Sequence, residues 1–373
     1  MKQFIIALTL LGIASISSAQ IKYDGAFGKG ISFETNDGSF GMTFATRIQP
    51  RWDYEYNIET KNYYDRMTVK RARLKFDGFF INKDLRYKFE YDVVAGYVRD
   101  AVVKYRFAPK WDLWFGQTKL PGNRERIFSS GNLNFVDRSL FNTFYTLDRD
   151  LGFQLRNSFK IGNVIIKDDW ALSAGNGILD LRTSNGVELT GKISVLPFGE
   201  FTKKGDFIGG DVYHEETPKL SVSFGADYNM NAYKSNGQIG TRPGDEEDLF
   251  LIFGDFLFKY RGISVMVEAA QRTTPNGPAI VKDLEGEVTG AFYTGWGMNI
   301  QGGYITKKMW GISARYSFTD PSVDYYNSIE DRTLCLSKYI VGNKFKIQAD
   351  FTYRTIETQD DFLIGRLQLE LHF

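Results

Sequence analysis

Cysteine and histidine are almost missing from this 373-residue sequence, which has one of the first and two of the second. Cys335 therefore has no intrachain disulfide partner, and a zinc site built from Cys/His clusters is excluded. No metal or other cofactor is expected. Proline is scarce too, at 9 residues, and past the leader no run of about 18 apolar residues occurs, so a membrane-spanning helix is not supported. Neither sign of charge dominates: 46 Lys+Arg stand against 45 Asp+Glu, a balance that argues against a nucleic-acid partner.

What the chain does have is an export leader, glycine and aromatic rings. Met1 to Ala19 starts basic at Lys2, turns apolar from Phe4 to Ile13 and ends on Ser17, Ser18 and Ala19, the layout of a secretory signal cleaved before Gln20. Residues 20–373 contain no Pro/Ser-rich linker, charge block or composition shift, and read as one domain. An exported chain without cross-links, carrying 37 Gly, 31 Phe, 21 Tyr and 6 Trp, needs an architecture that uses them.

Alternation supplies that architecture, because side chains two apart on a strand share a face. From Phe40, Met42, Phe44, Ile48, Trp52, Tyr54 and Tyr56 lie on one face, with Arg47, Gln49, Arg51, Asp53 and Glu55 on the other. Leu85, Tyr87, Phe89 and Tyr91 oppose Arg86, Lys88, Glu90 and Asp92 in the same way, and the pattern continues to Leu367, Leu369 and Leu371. About 16 such strands fit residues 20–373 at the length a tilted membrane barrel requires. A soluble sandwich also alternates, but here the apolar stripes end in aromatics such as Trp52, Trp111, Tyr260 and Trp310, as at lipid–water interfaces. The fold class expected is all-β: a transmembrane antiparallel β-barrel in the bacterial outer membrane, with lipid against its outer face.

Residues 119–150 break the period and carry Pro121, Gly122, Arg124, Arg126 and Arg138. A connection this long calls for a job. This third outer loop is expected to fold inward and narrow a channel, with Phe135, Leu140, Phe141, Phe144 and Tyr145 packed on the wall; the alternative is an external surface loop. Residues 197–219 are long where a short periplasmic turn belongs, and the sequence offers no reason.

Periodicity puts Arg47, Arg51, Arg71, Arg73 and Lys75 on the inner wall, Arg71 and Arg73 about 6.7 Å apart on one strand. Guanidinium forks match phosphate and carboxylate oxygens, so an unpaired cluster would partition anions. Alternatively, these groups pair with Asp53, Asp77 and Glu90 as wall-bracing ladders and give almost no selectivity. A hydrolase is disfavoured: it needs a histidine near its nucleophile, and neither His214 nor His372 falls in an outer loop. A sugar porin would need an aromatic track, for which Tyr63, Tyr64, Trp114, Tyr233 and Tyr293 are candidates. A purely structural barrel is open too, whereas Gln20 to Ser39 is too short for a plug domain.

The segments from Lys70 to Gly78, Leu85 to Asp92, Arg99 to Tyr105, Phe115 to Pro121, Asn134 to Leu140 and Arg149 to Gln154 resemble, in order, the phosphate-selective porin O and P family. The terminal strand Leu367 to Phe373 resembles the assembly signal of outer-membrane barrels. The family resemblance implies a 16-stranded, homotrimeric porin passing small hydrophilic solutes, anions and phosphate or polyphosphate foremost. By position it implies Arg47 as a pore arginine, Lys70 and Arg71 as the constriction pair with lysine replacing the first, Asp92 as the aspartate closing the third strand, and Arg138 as the inward-loop arginine. Strict alternation, however, points Lys70 away from the lumen. The family's later arginine-rich loop is also absent: residues 231–248 offer only Lys234 and Arg242 beside Asp245, Glu246, Glu247 and Asp248. A general or sugar-type porin without anion selectivity stays open.

Overall fold

The computed structural model describes residues 19–22, 27–178 and 186–373. The expected leader, apart from Ala19, and most of the far half of the outer connection at 175–186 lie outside these residues. Sixteen antiparallel strands form the wall: β1 (Phe40–Asn57), β2 (Tyr63–Phe80), β3 (Asn82–Asp92), β4 (Tyr97–Ala108), β5 (Trp111–Lys119), β6 (Arg149–Ile161), β7 (Val164–Ser173) and β8 (Glu188–Leu196), then β9 (Lys219–Ala232), β10 (Glu247–Tyr260), β11 (Ile263–Thr273), β12 (Gly295–Ile305), β13 (Trp310–Pro321), β14 (Ile329–Val341), β15 (Phe345–Ile356) and β16 (Phe362–His372). Each pairs with the next, and β16 pairs back onto β1, Arg366 opposite Asp53 and Leu371 opposite Ile48. Closure leaves the wall no free edge, the condition for strands in lipid.

The barrel is inside-out relative to a water-soluble protein. On β14, Leu334 and Leu336 are 62% and 52% exposed, whereas Cys335 between them is 3% exposed. Arg315, Ser317, Asp331, Thr333 and Thr352 are buried while Phe115, Phe153, Trp170, Phe224 and Phe351 are exposed. Apolar side chains outward and polar ones inward is the arrangement that hydrocarbon selects. Leu334→Arg should therefore destabilise the folded barrel by about 2–4 kcal/mol if it sits near the midplane, measured as a lower urea midpoint for the compact band on unheated gels.

Six of the seven links at one end are short, one to four residues each, such as Arg261–Gly262, whose φ values of 47° and 88° suit a two-residue hairpin. The long connections gather at the opposite, outer end. A short strand Ile31–Thr35 continues the sheet beside the start of β1, with Ile31 opposite Phe44, and carries Ala19–Lys22 on its other side. Within 274–294 a small hairpin pairs Ile280–Lys282 with Val288–Ala291.

Candidate solute pathway

Residues 120–148, with two one-turn helices at Arg124–Ile127 and Phe141–Phe144, connect β5 to β6. Only Thr143 among them is exposed. Its backbone is held by inward-facing wall side chains. Lys346 Nζ donates to the Leu133 carbonyl (2.7 Å), Gln348 Nε2 to that of Asn134 (2.9 Å) and Arg272 Nη1 to that of Phe144 (2.7 Å). Lys192 Nζ reaches the Gly122 carbonyl (2.9 Å), and the Phe141 amide donates to Ser317 Oγ (3.0 Å). Leu120, Phe141, Tyr145 and Leu147 pack with Leu251 and Phe253 of β10 and with Tyr293. On the inner face of β10, Leu251 and Phe253 are apolar because they meet this segment rather than water.

The connection 197–218 approaches from the short-turn end. Lys259 Nζ donates to the carbonyls of Gly205, Ile208 and Gly210, each at 2.8 Å, and Phe201 packs with Phe128 and Leu133. The two segments touch: the Gly209 amide donates to the Asn132 carbonyl (2.8 Å), and Arg124 Nη1 to that of Asp206 (3.2 Å). A connection too long for a turn thus supports the other segment from below. Between both segments and the wall of β2 to β9 lies a cavity of about 280 Å³.

Thirteen Lys and Arg line that cavity against four carboxylates. Many are neutralised: Arg73 by Glu90 (2.8 Å) and Asp92 (3.0 Å), Arg149 by Asp100 (3.1 Å), Lys167 by Asp206 (2.6 Å). Four have no carboxylate within ion-pairing distance among the described residues: Lys75, Lys104, Lys119 and Arg138. Lys119 Nζ donates to the carbonyls of Arg126, Ile127 and Phe128, and Arg138 to those of Glu125 and Phe128. Lys104 Nζ lies 3.9 Å from the ring centre of Trp114, with Arg156 at 4.1 Å from the strand on the other side.

Comparison with known proteins agrees with this barrel. Residues 44–175 match the family described as phosphate-selective porin O and P. Over that stretch the sequence resembles a porin family, and the fold is that of outer-membrane porins. Three similar solved structures are a loop L8 deletion mutant of OmpT, an outer-membrane protein of Vibrio cholerae (TM-score 0.59, 11% identity, 90% of this chain and 100% of that one), OmpF of Salmonella typhi in complex with daunomycin (0.57, 12%, 91% and 100%), and the outer-membrane channel DcaP of Acinetobacter baumannii (0.56, 12%, 91% and 99%). At these identities the likeness speaks for the fold. Curated protein sequences give no match. Family and fold place the protein in the bacterial outer membrane.

In this barrel the expected site residues divide into three groups. Arg47 is fully buried under the 120–148 segment, donating to Ser129 Oγ (3.1 Å) and to Ser130, with Glu370 at 3.4 Å. It anchors the segment. Arg51 and Arg71 meet Asp137 of that segment, at 2.7 and 3.2 Å, while Asp92 joins Arg73. Arg73, Lys75 and Arg138 line the cavity. Of the suspected bracing carboxylates, Asp53 pairs with Arg51 (2.7 Å) and Glu90 with Arg73, and Asp77 makes no ion pair among the described residues.

Lys70 does not follow the alternation, for a local reason. Gln49 pairs with Arg71 and Pro50 with Val69, so Lys70 is the extra residue of a β-bulge. A bulge lets consecutive side chains share a face, and Lys70 lies in the electrostatic field of Arg51, Arg71 and Asp137. Arg99 repeats the device: Glu90 pairs with Asp100 and Tyr91 with Val98, and Arg99 lines the cavity. Period counting assigns Arg99 to the lipid face, and only the pairing register reveals otherwise. Lys119 and Arg126 are also cavity-lining residues that periodicity misses, because one ends a strand and the other lies in an aperiodic segment. The proposed aromatic track does not assemble: Tyr63 and Tyr64 are exposed, Tyr293 is buried in a packing cluster, Tyr233 is buried against Lys234 and Arg242, and Trp114 stands between two cations.

Proposed function

We propose that this porin lets small hydrophilic solutes diffuse passively through the cavity beside β2 to β9, with a preference for anions. Residues 120–148 act as the constriction, and the homotrimer implied by the family resemblance is the working assembly. The observation that carries this reading is the set of cavity cations without carboxylate partners among the described residues, Lys75, Lys104, Lys119 and Arg138. Such a wall raises local anion concentration, while the interspersed carboxylates keep residence short, as conduction requires. Phosphate is the anion the matched family suggests.

A general-diffusion reading draws on the neutralisation of Arg51, Arg71 and Arg73. Catalysis draws on nothing comparable, with His372 beside Glu370 and His214 in the 197–218 connection. Purified protein in a planar bilayer separates the readings. A reversal potential favouring chloride across a KCl gradient, with current reduced by added phosphate, is expected. An ohmic pore with neither property would mean general diffusion, and a silent bilayer would mean a structural barrel. Light scattering on the detergent-solubilised protein should give three chains per particle.

A further inference from the structure

The guanidinia of Arg51 and Arg71 stand side by side in the lumen, and what they hold is a carboxylate of the chain itself. Asp137 Oδ2 accepts from Arg51 Nη1 at 2.7 Å, and Oδ1 accepts from Arg71 Nη2 at 3.2 Å and from the Arg138 amide at 3.1 Å. Each oxygen thus has its own guanidinium, the arrangement in which arginine forks hold phosphate and carboxylate ligands. The bulge at Lys70 brings a further cation close, and Arg366 contributes from β16.

Two comparisons distinguish this cluster from ordinary wall bracing. Arg47 and Glu370 are each 0% exposed, sealed beneath the segment, whereas Asp137 and Arg71 are 23% and 13% exposed. Water and ions in the lumen reach the second pair. The Asp137 carboxylate is also not what keeps the segment in place. Arg315 Nη1 donates to its backbone carbonyl at 3.0 Å, and the preceding Val136 amide donates to Asp350 Oδ2 at 3.1 Å. Burial works to raise the Asp137 carboxyl, but Arg71, Arg51 and Arg366 outweigh it and hold the group well below the usual carboxylate range, so it stays an anion.

We infer that the Arg51–Arg71 pair is an oxyanion subsite of the pathway and that Asp137 is its tethered occupant, a specificity-determining residue that a permeating oxyanion must displace. Tethering makes Asp137 a permanent competitor, present at a high effective concentration without being consumed. The competitor shortens residence of any ion held by two guanidinia, which would otherwise bind too tightly to leave. This inference rests on the anion-leaning reading of the pore and deepens it.

The test is Asp137→Asn, nearly isosteric and uncharged, with Asp137→Glu as the charge-preserving control, both in planar bilayers with inorganic phosphate as the probe. Asp137→Asn is expected to lower the half-blocking phosphate concentration roughly tenfold, the scale of removing one charge about 4 Å away at a dielectric between water and protein surface. Asp137→Glu is expected to stay near wild type. Folding is checked by the shift in mobility between unheated and boiled samples, and Asp137→Ser gives the same readout should the asparagine variant fail that check. An unchanged phosphate block with larger open conductance would overturn the inference, leaving Asp137 as a clasp for the segment. No block in wild type or variant would overturn it too. The parent reading is scored separately, by chloride preference in wild type: a block gained in the variant of a non-selective wild type would uphold the subsite and sink the parent reading.

Discussion

Arg124→Met should give a barrel that folds and inserts but conducts at least roughly twice as much current, because the 120–148 segment loses its deepest hold on the wall. Arg124 Nε donates to Asp255 Oδ1 at 2.6 Å, Nη2 reaches Ser221 Oγ at 2.8 Å and Ser223 Oγ at 2.9 Å, and Nη1 meets the Asp206 carbonyl. One side chain therefore ties β9, β10 and the 197–218 connection to the segment. Removing it leaves Asp255 with Lys192 alone, at 2.7 Å. Breaking a buried pair from one side costs about 3–5 kcal/mol, since the remaining charge is left under-compensated. The wall ladders do not involve Arg124, so the loss falls on the docking of the segment. Single-channel recording reads it as higher and noisier conductance. Removing Asp255 as well, in Arg124→Met with Asp255→Leu, should not restore the wild-type conductance, because buried Lys192 then loses its carboxylate too. Wild-type conductance in the single variant would mean the carbonyl contacts from Lys346, Gln348 and Arg272 suffice by themselves.

Lys75→Glu should shift selectivity the most of any single change. Lys75 lines the cavity without a carboxylate partner among the described residues. A unit charge about 5 Å from the ion path contributes about 0.8 kcal/mol at the dielectric of water, so reversing it changes the difference between anion and cation by about 3 kcal/mol at most. With partial screening, a fall of at least roughly tenfold in the chloride-to-potassium permeability ratio is expected at 0.1 M salt. The effect should fade near 1 M, where the Debye length is about 3 Å. Lys83→Glu, at the periplasmic rim and 72% exposed, is the matched control and should move the ratio far less. Equal shifts from both would mean that bulk surface charge, and not the cavity wall, sets the preference.

The sequence made the wall legible and the filling less so. A period of two is enforced wherever one face meets lipid and the other meets water, and Phe40 to Tyr56 or Leu367 to Leu371 obey it. Where both faces meet protein or lipid the period fades, as at Leu249 to Phe258 of β10, whose inner Leu251 and Phe253 pack on the segment. The length and rings of residues 119–150 announced a segment with a role. Its partners were hidden, because Ser317, Gln348 and Lys346 look like any lumen-facing polar residues until the fold brings the segment to them. The bulges at Lys70 and Arg99 leave no compositional trace, yet they set where these two cations point. Residues 197–219 were unreadable for the same reason: their carbonyls are satisfied by Lys259, from a strand far along the chain.

The seam between β16 and β1 dictates an order of assembly. Its hydrogen bonds join the two ends of the barrel sequence, so they form after the strands between them are paired. By then Lys192, Arg272, Ser317 and Lys346, which grip the 120–148 segment, all stand on the paired wall. Arg47 on β1 and Glu370 on β16 meet only across that seam, and both close over Ser129 and Ser130. The last joint of the cylinder is therefore also the latch over its contents.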